Sequence, residues 1–194
     1  MTHSEIPHGR QPRTQVGALL LLTDPESRLV LVQPRYEEGL FLVGGARRAD
    51  ESPRAAARRA GREEIGFETF PGRKLLSYYA PPNPKSGAEA AVNFVYDGGV
   101  LDEDQLDSIT LAVEEVLAWD RVGESRLDLF TTEPHAVIIR AALEARQLNR
   151  CFDLEFARSV DGSLAVLPGP ATRRGAFAFP APSLSTRPTA GRVM

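Results

Sequence analysis

Residues 45–67 constrain the fold of this chain more than any other segment, because they join a glycine turn to a helix that ends in paired carboxylates. Gly44 and Gly45 follow an apolar run, and paired glycines allow the backbone to pass close to a ligand. Glu63 and Glu64 supply the carboxylate oxygens that hard cations prefer. The layout is therefore typical of a site for a divalent metal ion and a phosphate group.

The fixed residues of this segment resemble the signature of the Nudix hydrolases. In order, they are Gly45, Glu51, Arg59, Glu63, Glu64, Gly66 and Phe67. The chain departs from the signature at two adjacent positions, with Ala60 where the family has a metal-binding glutamate and Gly61 where it has an apolar residue. The resemblance implies an α/β fold, a Nudix-type α/β/α sandwich with a mixed β-sheet. It also implies metal-dependent cleavage of a pyrophosphate bond in a nucleoside diphosphate linked to another group.

The expected cofactor is Mg²⁺ or Mn²⁺, bound on one face of the predicted helix. Residues three or four apart share a helical face, so positions 60, 63 and 64 point the same way. With Ala60 in place, Glu63 and Glu64 remain. By resemblance, Glu64 is the first metal ligand and the carbonyl of Gly44 also reaches the metal. The same resemblance makes Glu63 either a second ligand or the general base.

Two further residues complete the predicted catalytic and metal site. Arg59 is expected to orient the site, either by pairing with Glu63 along the helix or by crossing to Glu51. Glu115 lies shortly before Trp119, and this stretch resembles the place where the family often adds a further metal-binding glutamate. The alternative is that Glu115 is an exposed carboxylate at the start of a strand.

Substrate contacts are expected from loops and strand ends outside the motif. Arg35 and Arg47 are candidates for phosphate binding, with a solvated arginine as the alternative. Phe41 and Tyr79 are candidates for stacking on a base, and Tyr36 and Tyr78 are further ones. Ordinary packing is the alternative for each ring.

Strand and helix signals alternate along the chain and predict one main domain. Strands are predicted at 15–23, 29–33, 41–43, 74–79, 91–96 and 116–119, and helices at 53–65 and 133–147. Residues 101–107 are acidic and indicate a loop or a short turn. The predicted division is a flexible arm at 1–13, a Nudix domain at 14–150, a candidate added β-hairpin at 151–167, and a Pro-, Gly- and Ala-rich tail at 168–194.

Composition argues against several classes of protein. A net charge of -3 with three histidines gives no basic surface for duplex nucleic acid. No apolar run reaches the length of a membrane span, and the N-terminal residues lack the apolar core of an export signal. The expected location is therefore the cytoplasm. The expected partner is a small nucleotide-like substrate, and a homodimer is a further expectation.

The altered signature leaves a second function open. Replacing a carboxylate by the methyl group of Ala60 removes a negative charge and its oxygen ligands from a metal site. A non-hydrolytic Nudix-fold protein is therefore the alternative, either as a ligand-binding or regulatory module or as a repurposed enzyme of a specialised pathway.

Overall fold

The computed structural model describes residues 13–36, 38–159 and 162–167. Its strands are β1 Thr14–Thr23, β2 Leu29–Pro34, β3 Val43–Ala46, β4 Lys74–Ala80, β5 Ala90–Val100, β6 Val116–Val122, β7 Phe152–Arg158 and β8 Leu164–Val166. Its helices are α1 Pro53–Ile65, α2 Glu103–Asp107, α3 Leu127–Phe130 and α4 Glu133–Gln147, with a 3-10 turn at Glu124–Arg126.

The strands form one mixed sheet in the order β6-β2-β1-β5-β4-β7-β8, with β3 paired to β1 outside this path. β1 runs parallel to β5 and antiparallel to β2 and β3. One edge of β1 is shared by two strands, since β2 meets it at Thr23 whereas β3 pairs with residues 17–20. This sharing places the glycine turn of β3 beside the middle of β1.

Two hydrophobic cores lie on opposite faces of the sheet, one with the buried residues of α1 and one with those of α4. β1 contributes to both, because alternate residues of a strand point to opposite faces. Leu19 and Leu21 pack with α4, whereas Leu20 and Leu22 pack with α1. The structure confirms the predicted α/β/α sandwich with a mixed sheet.

The predicted motif helix matches α1 in full. The hydroxyl of Ser52 caps its N-terminus, Pro53 opens its first turn, and Gly66 ends it with a φ of 86°. Ala56 and Ala57 are fully buried on its inner face. Their small side chains let α1 lie close to β1 and β3, and this closeness positions the end of the helix beside the glycine turn.

Gly61 lies where α1 packs against the segment that follows it. A Cβ at this position would collide with the hydroxyl oxygen of Thr69, which is buried. Glycine within a helix costs about 1 kcal/mol relative to alanine. Here the methyl and hydroxyl groups of Thr69 occupy the space that an apolar side chain at position 61 would otherwise need.

We expect Gly61→Ala to lower the free energy of unfolding by about 1–3 kcal/mol through overpacking, although alanine is the better helix former. In a Thr69→Ala background the same change is expected to be much less destabilising, because the two closest atoms, Oγ1 and Cγ2 of Thr69, are gone. Urea unfolding of the wild type, both single variants and the double variant measures this. An equal loss in the two backgrounds would contradict the packing explanation.

Residues 101–107 contain a short helix, α2, where a loop or a short turn was expected. The side chain of Asp102 accepts a hydrogen bond from Gln105 N, while the side chain of Gln105 accepts one from Asp102 N. This reciprocal capping box satisfies donors that a five-residue helix would otherwise leave exposed.

Residues after α4 extend the sheet by two strands. β7 runs parallel to β4, and β8 pairs with β7 in the antiparallel sense that a hairpin at 151–167 requires. The predicted domain boundaries stay a prediction, and the predicted arm, apart from Arg13, and the tail at 168–194 lie outside the described residues. Among the residues that the structure describes, no helix is long and apolar enough to cross a membrane.

An aromatic pair joins the segment before β3 to α4. The rings of Phe41 and His135 stack with their centroids 3.8 Å apart and their planes at 16°. Burial disfavours the charged form of His135 and lowers its pKa from 6.5 to about 4. Protonation of this histidine therefore opposes folding.

We expect acidification to remove stability through His135. Its pKa is lower in the folded protein than in the unfolded chain, so the unfolded chain binds more protons between about pH 6.5 and pH 4. Stability that is complete at pH 7 is lost as the pH falls through this window, by about 2 kcal/mol at pH 5. Urea unfolding of the wild type and His135→Phe at both pH values measures the difference. Equal losses in the two proteins would contradict it.

Candidate active site

The main chain of β3 meets the last turn of α1 at Gly44 and Glu64. Gly44 N donates a hydrogen bond to Glu64 Oε2 at 3.0 Å, and Glu64 is only 8% exposed. Gly44 has a φ of +156°, and a Cβ there would collide with the carbonyl oxygen of Ala18 on β1. A glycine is therefore needed for β3 to lie against both β1 and this carboxylate.

Glu64 has a pKa raised from 4.5 to about 7. Burial is the largest cause, and repulsion from Glu115 and Glu63 adds to it. The hydrogen bond from Gly44 and the charge of Arg59 act in the opposite direction. A buried carboxylate in this environment is stabilised by a cation or by a proton.

Glu63 is held by two arginines. Its Oε2 accepts a hydrogen bond from Arg59 Nη1 at 2.6 Å, and its Oε1 accepts one from Arg48 Nη2 at 3.1 Å. The side chain of Arg48 is 62% exposed, whereas that of Arg59 is largely buried. Arg48 and Arg59 therefore compete with a metal ion for the carboxylate oxygens of Glu63.

Arg59 connects the helix to the loop after β3. Its Nη2 donates hydrogen bonds to Glu51 Oε1 at 2.7 Å and to the carbonyl of Ala46 at 2.8 Å, while its Nη1 contacts Glu63. Both contacts considered for Arg59 from the sequence are therefore present. The hydrogen bonds from Arg59, followed by one from the main chain of Arg48, lower the pKa of Glu51 to about 2.

We expect Arg59→Lys to lower the free energy of unfolding by about 1–3 kcal/mol, because one ammonium group cannot replace the forked contacts of a guanidinium. Urea unfolding measures the effect. Arg62→Lys, at an exposed position on the same helix, is the matched control and is expected to change stability by less than about 0.5 kcal/mol. Equal effects of the two substitutions would contradict the connecting role of Arg59.

These groups open onto a cavity of about 380 Å³, here called the charged cavity. It is lined by Arg35, Tyr36, Gly44, Gly45, Ala46, Arg48, Arg59, Ala60, Glu63, Glu64, Glu114 and Glu115. The structure therefore brings together all of the residues predicted as catalytic or metal-binding. Their roles stay predictions, since position alone does not test them.

Arg35 fixes the turn that carries Glu115. Its main-chain N donates a hydrogen bond to the carbonyl of Glu115 at 2.9 Å, and its guanidinium donates one to the carbonyl of Val113 at 2.6 Å. Arg35 was predicted to bind phosphate, and it does line the charged cavity. Part of its donor capacity is already used to hold the turn.

A second cavity of about 190 Å³, here called the neutral cavity, adjoins the first and shares Tyr36, Gly44, Gly45 and Ala46 with it. The other lining residues are Gln15, Val16, Gly17, Leu19, Pro34, Phe41, Leu42, Tyr78, Ala91 and Asn93. None of these side chains carries a charge. The two adjoining cavities therefore suit two chemically different parts of one ligand.

The aromatic candidates differ in their access to the cavities. Phe41 lines the neutral cavity, but it is largely buried and stacked on His135. Tyr79 lines neither cavity, because alternate residues of β4 face opposite sides and Tyr78 is the one that faces the neutral cavity. Substrate contact by Phe41 or Tyr79 stays a prediction, and Tyr78 is better placed than Tyr79.

Two carboxylates of the charged cavity repel each other and are suitable ligands for a divalent cation. Glu64 and Glu115 offer carboxylate oxygens, and a cation would relieve their repulsion. Ala60 offers no ligand atom from its side chain. Across residues 13–36, 38–159 and 162–167, no group of three or more His, Cys, Asp or Glu side chains is arranged to hold a metal ion.

Comparison with protein families settles the ancestry of the chain. A family model described as the NUDIX domain matches residues 13–141. The chain belongs to the NUDIX domain family. Nudix hydrolases generally use divalent metal ions, which agrees with the carboxylates of the charged cavity. A search of curated proteins found no match.

Solved structures with the same fold include several Nudix proteins. The MutT protein from Methanosarcina mazei Go1 is 17% identical, with 72% of this chain and 97% of that chain covered and a TM-score of 0.58. The mMutator MutT protein from Bacillus halodurans is 17% identical, with coverage of 80% and 99% and a TM-score of 0.57. The NUDIX domain of Shewanella oneidensis NrtR, complexed with ADP ribose, is 15% identical, with coverage of 74% and 98% and a TM-score of 0.57. At such identities the similarity shows the fold alone.

One contact in this Nudix site was missed from the sequence. Arg47 was considered for phosphate binding, but its guanidinium donates hydrogen bonds to the carbonyls of Ala49 and Glu51 within its own loop. Its neighbour Arg48 instead reaches Glu63 and lines the charged cavity. Two adjacent arginines in a loop carry no local signal that distinguishes these directions.

Proposed function

We propose that this Nudix domain is a metal-dependent hydrolase that cleaves the pyrophosphate bond of a nucleoside diphosphate linked to another group. The supporting observation is the buried carboxylate of Glu64, which repels Glu115 in a cavity that also contains three arginines. Repelling carboxylates favour a bound cation, and guanidinium groups favour phosphate oxygens. The charged cavity offers both within about 380 Å³.

Glu64 and Glu115 would hold Mg²⁺ or Mn²⁺, and the resemblance to the family adds the carbonyl of Gly44. A bound divalent ion supplies Lewis acidity, which lowers the pKa of water and offsets charge on the phosphates. The hydrogen bond from Gly44 N fixes the direction of the Glu64 carboxylate. Arg35 fixes Glu115 by holding its turn.

Arg59 and Arg48 have different tasks in this proposal. Arg59 is largely buried and keeps Glu63 in place. Arg48 is exposed and holds Glu63 by one hydrogen bond of 3.1 Å, so it can exchange that carboxylate for a phosphate oxygen of the substrate. The exchange would free Glu63 Oε1 to act as a second metal ligand or as the general base.

We expect Glu64→Gln to reduce turnover by at least about 100-fold with little loss of fold, because the amide keeps the shape of the side chain but not its charge. Ala60→Glu is expected to tighten metal binding about 10-fold by adding a carboxylate to the same helical face. The assay is phosphate release with Mg²⁺ or Mn²⁺. Nucleoside triphosphates are tested with an inorganic pyrophosphatase added, and ADP-ribose, sugar nucleotides and dinucleoside polyphosphates with a phosphomonoesterase added, each against a control without the protein. Metal affinity is measured by calorimetry.

Glu68→Gln is the matched control, since Glu68 is an exposed carboxylate paired with Arg58 and lines neither cavity. It is expected to keep wild-type turnover. Unchanged turnover in Glu64→Gln would overturn the assignment of Glu64. A folded wild-type protein that turns over none of these substrates with either metal would overturn the proposed hydrolysis.

The second candidate function is a non-hydrolytic module that binds a nucleotide-like ligand. Ala60 favours it, together with the finding that no three carboxylates of the described chain are arranged around one metal position. The NUDIX domain of Shewanella oneidensis NrtR was solved with ADP ribose bound. Calorimetry separates the two functions, because tight nucleotide binding without turnover, independent of added metal, supports the module.

A further inference from the structure

The charged and neutral cavities meet at Tyr36 and at the main chain of β3. One contains the arginines and glutamates of the proposed active site, whereas the other contains no charged side chain. A ligand that spans both would place its phosphates in the first and an uncharged group in the second. The residues that line the neutral cavity therefore indicate which kind of uncharged group the ligand carries.

Asn93 is one of the polar side chains that line the neutral cavity. It lies beside Gly17 in the parallel pairing of β1 with β5, and beside Tyr78 in the antiparallel pairing of β4 with β5. A Cβ at position 17 would collide with Asn93 Oδ1, so the glycine leaves room for this carboxamide over β1. Among the described residues, the Asn93 side chain has no hydrogen-bond partner.

We propose that Asn93 is the specificity-determining residue of the neutral cavity and reads the edge of a nucleobase. This inference rests on the proposed function, because it assigns the phosphates of the same ligand to the charged cavity. A carboxamide presents an N–H donor next to a carbonyl acceptor. That pair complements a heteroaromatic ring whose edge carries an adjacent acceptor and donor, such as adenine.

Aromatic surface is present beside this carboxamide. Tyr36 supplies most of this surface, because it is 73% exposed at the boundary between the cavities. Tyr78 lies next to Asn93 on the neighbouring strand and lines the neutral cavity, but it is only 8% exposed and packs against Phe156. Flat rings stack on such side chains, whereas a saturated sugar or an aliphatic group gains less from them. The combination of ring surface, the carboxamides of Asn93 and Gln15 and no charge suits a neutral base.

Asn93→Asp tests the proposed recognition of the base, because it replaces the amide nitrogen of the side chain by an oxygen and so removes its hydrogen-bond donor. The carboxylate has no donor, so it is repelled by the ring nitrogen acceptor of adenine but accepts from the two adjacent N–H groups of guanine. The ratio of the affinity for GMP to the affinity for AMP is expected to rise about 10-fold, as for one bidentate pair. Asn93→Leu removes both groups and is expected to weaken AMP and GMP binding about 10-fold.

Calorimetric titration of the full chain with AMP, GMP and ribose 5-phosphate measures these affinities. The wild type is expected to bind both nucleotides at least about 10-fold more tightly than ribose 5-phosphate, which has the phosphate and no base. Asn149→Asp is the matched control, because Asn149 is exposed after α4 and lines neither cavity. It introduces the same charge and is expected to leave every ratio unchanged.

Equal binding of AMP and ribose 5-phosphate by the wild type would overturn the proposal. So would a ratio of GMP to AMP affinity that remains the same in folded Asn93→Asp, or AMP and GMP binding that is unchanged in Asn93→Leu. Failure of the proposed hydrolysis has a different signature. If the protein binds nucleotides according to their base but turns none of them over, only the proposed hydrolysis is overturned. If it shows metal-dependent turnover but no base-dependent binding, only the proposed role of Asn93 is overturned.

Discussion

The hydrogen bond from Gly44 N to Glu64 Oε2 is the contact on which the site depends. β3 is four residues long and pairs with β1, so its position is set by β1 on one side and by α1 on the other. Gly44 makes this double contact possible because it has no side chain. The hydrogen bond from Gly44 N orients the buried carboxylate of Glu64. The Arg59 contacts then fix the loop between the two elements, so that the fold and the charged cavity are built from the same few residues.

The two departures from the Nudix signature have different physical meanings. Gly61 is explained by packing, since Thr69 fills the space beside the helix and leaves no room for a side chain at position 61. Ala60 is a chemical change, since it lines the charged cavity and removes a carboxylate from the face shared with Glu64. The first concerns packing in the interior, whereas the second concerns the number of oxygen ligands that the charged cavity offers a cation.

Sequence reasoning succeeded where the signal was local. α1 was predicted in full because Ser52, Pro53 and Gly66 mark its ends in the chain itself. The contact of Arg48 with Glu63 and the fit of Gly61 to Thr69 arise only when separate segments meet in space. Strand alternation places Tyr78 and Tyr79 on opposite faces, but the sequence did not show which face would contain the cavity.

The two strands after α4 also determine where the sheet ends. Without them, β4 would expose the unpaired backbone groups of seven residues, whereas β7 pairs with residues 76–79 of that edge and the part of the sheet that the structure describes ends in β8, which has three residues. Long exposed edges promote pairing between chains, and very short edge strands limit it. These strands lie beyond the 13–141 match to the NUDIX domain. They therefore shorten one edge of the described sheet, outside the part of the chain that lines the charged cavity, whereas the opposite edge is the seven-residue β6.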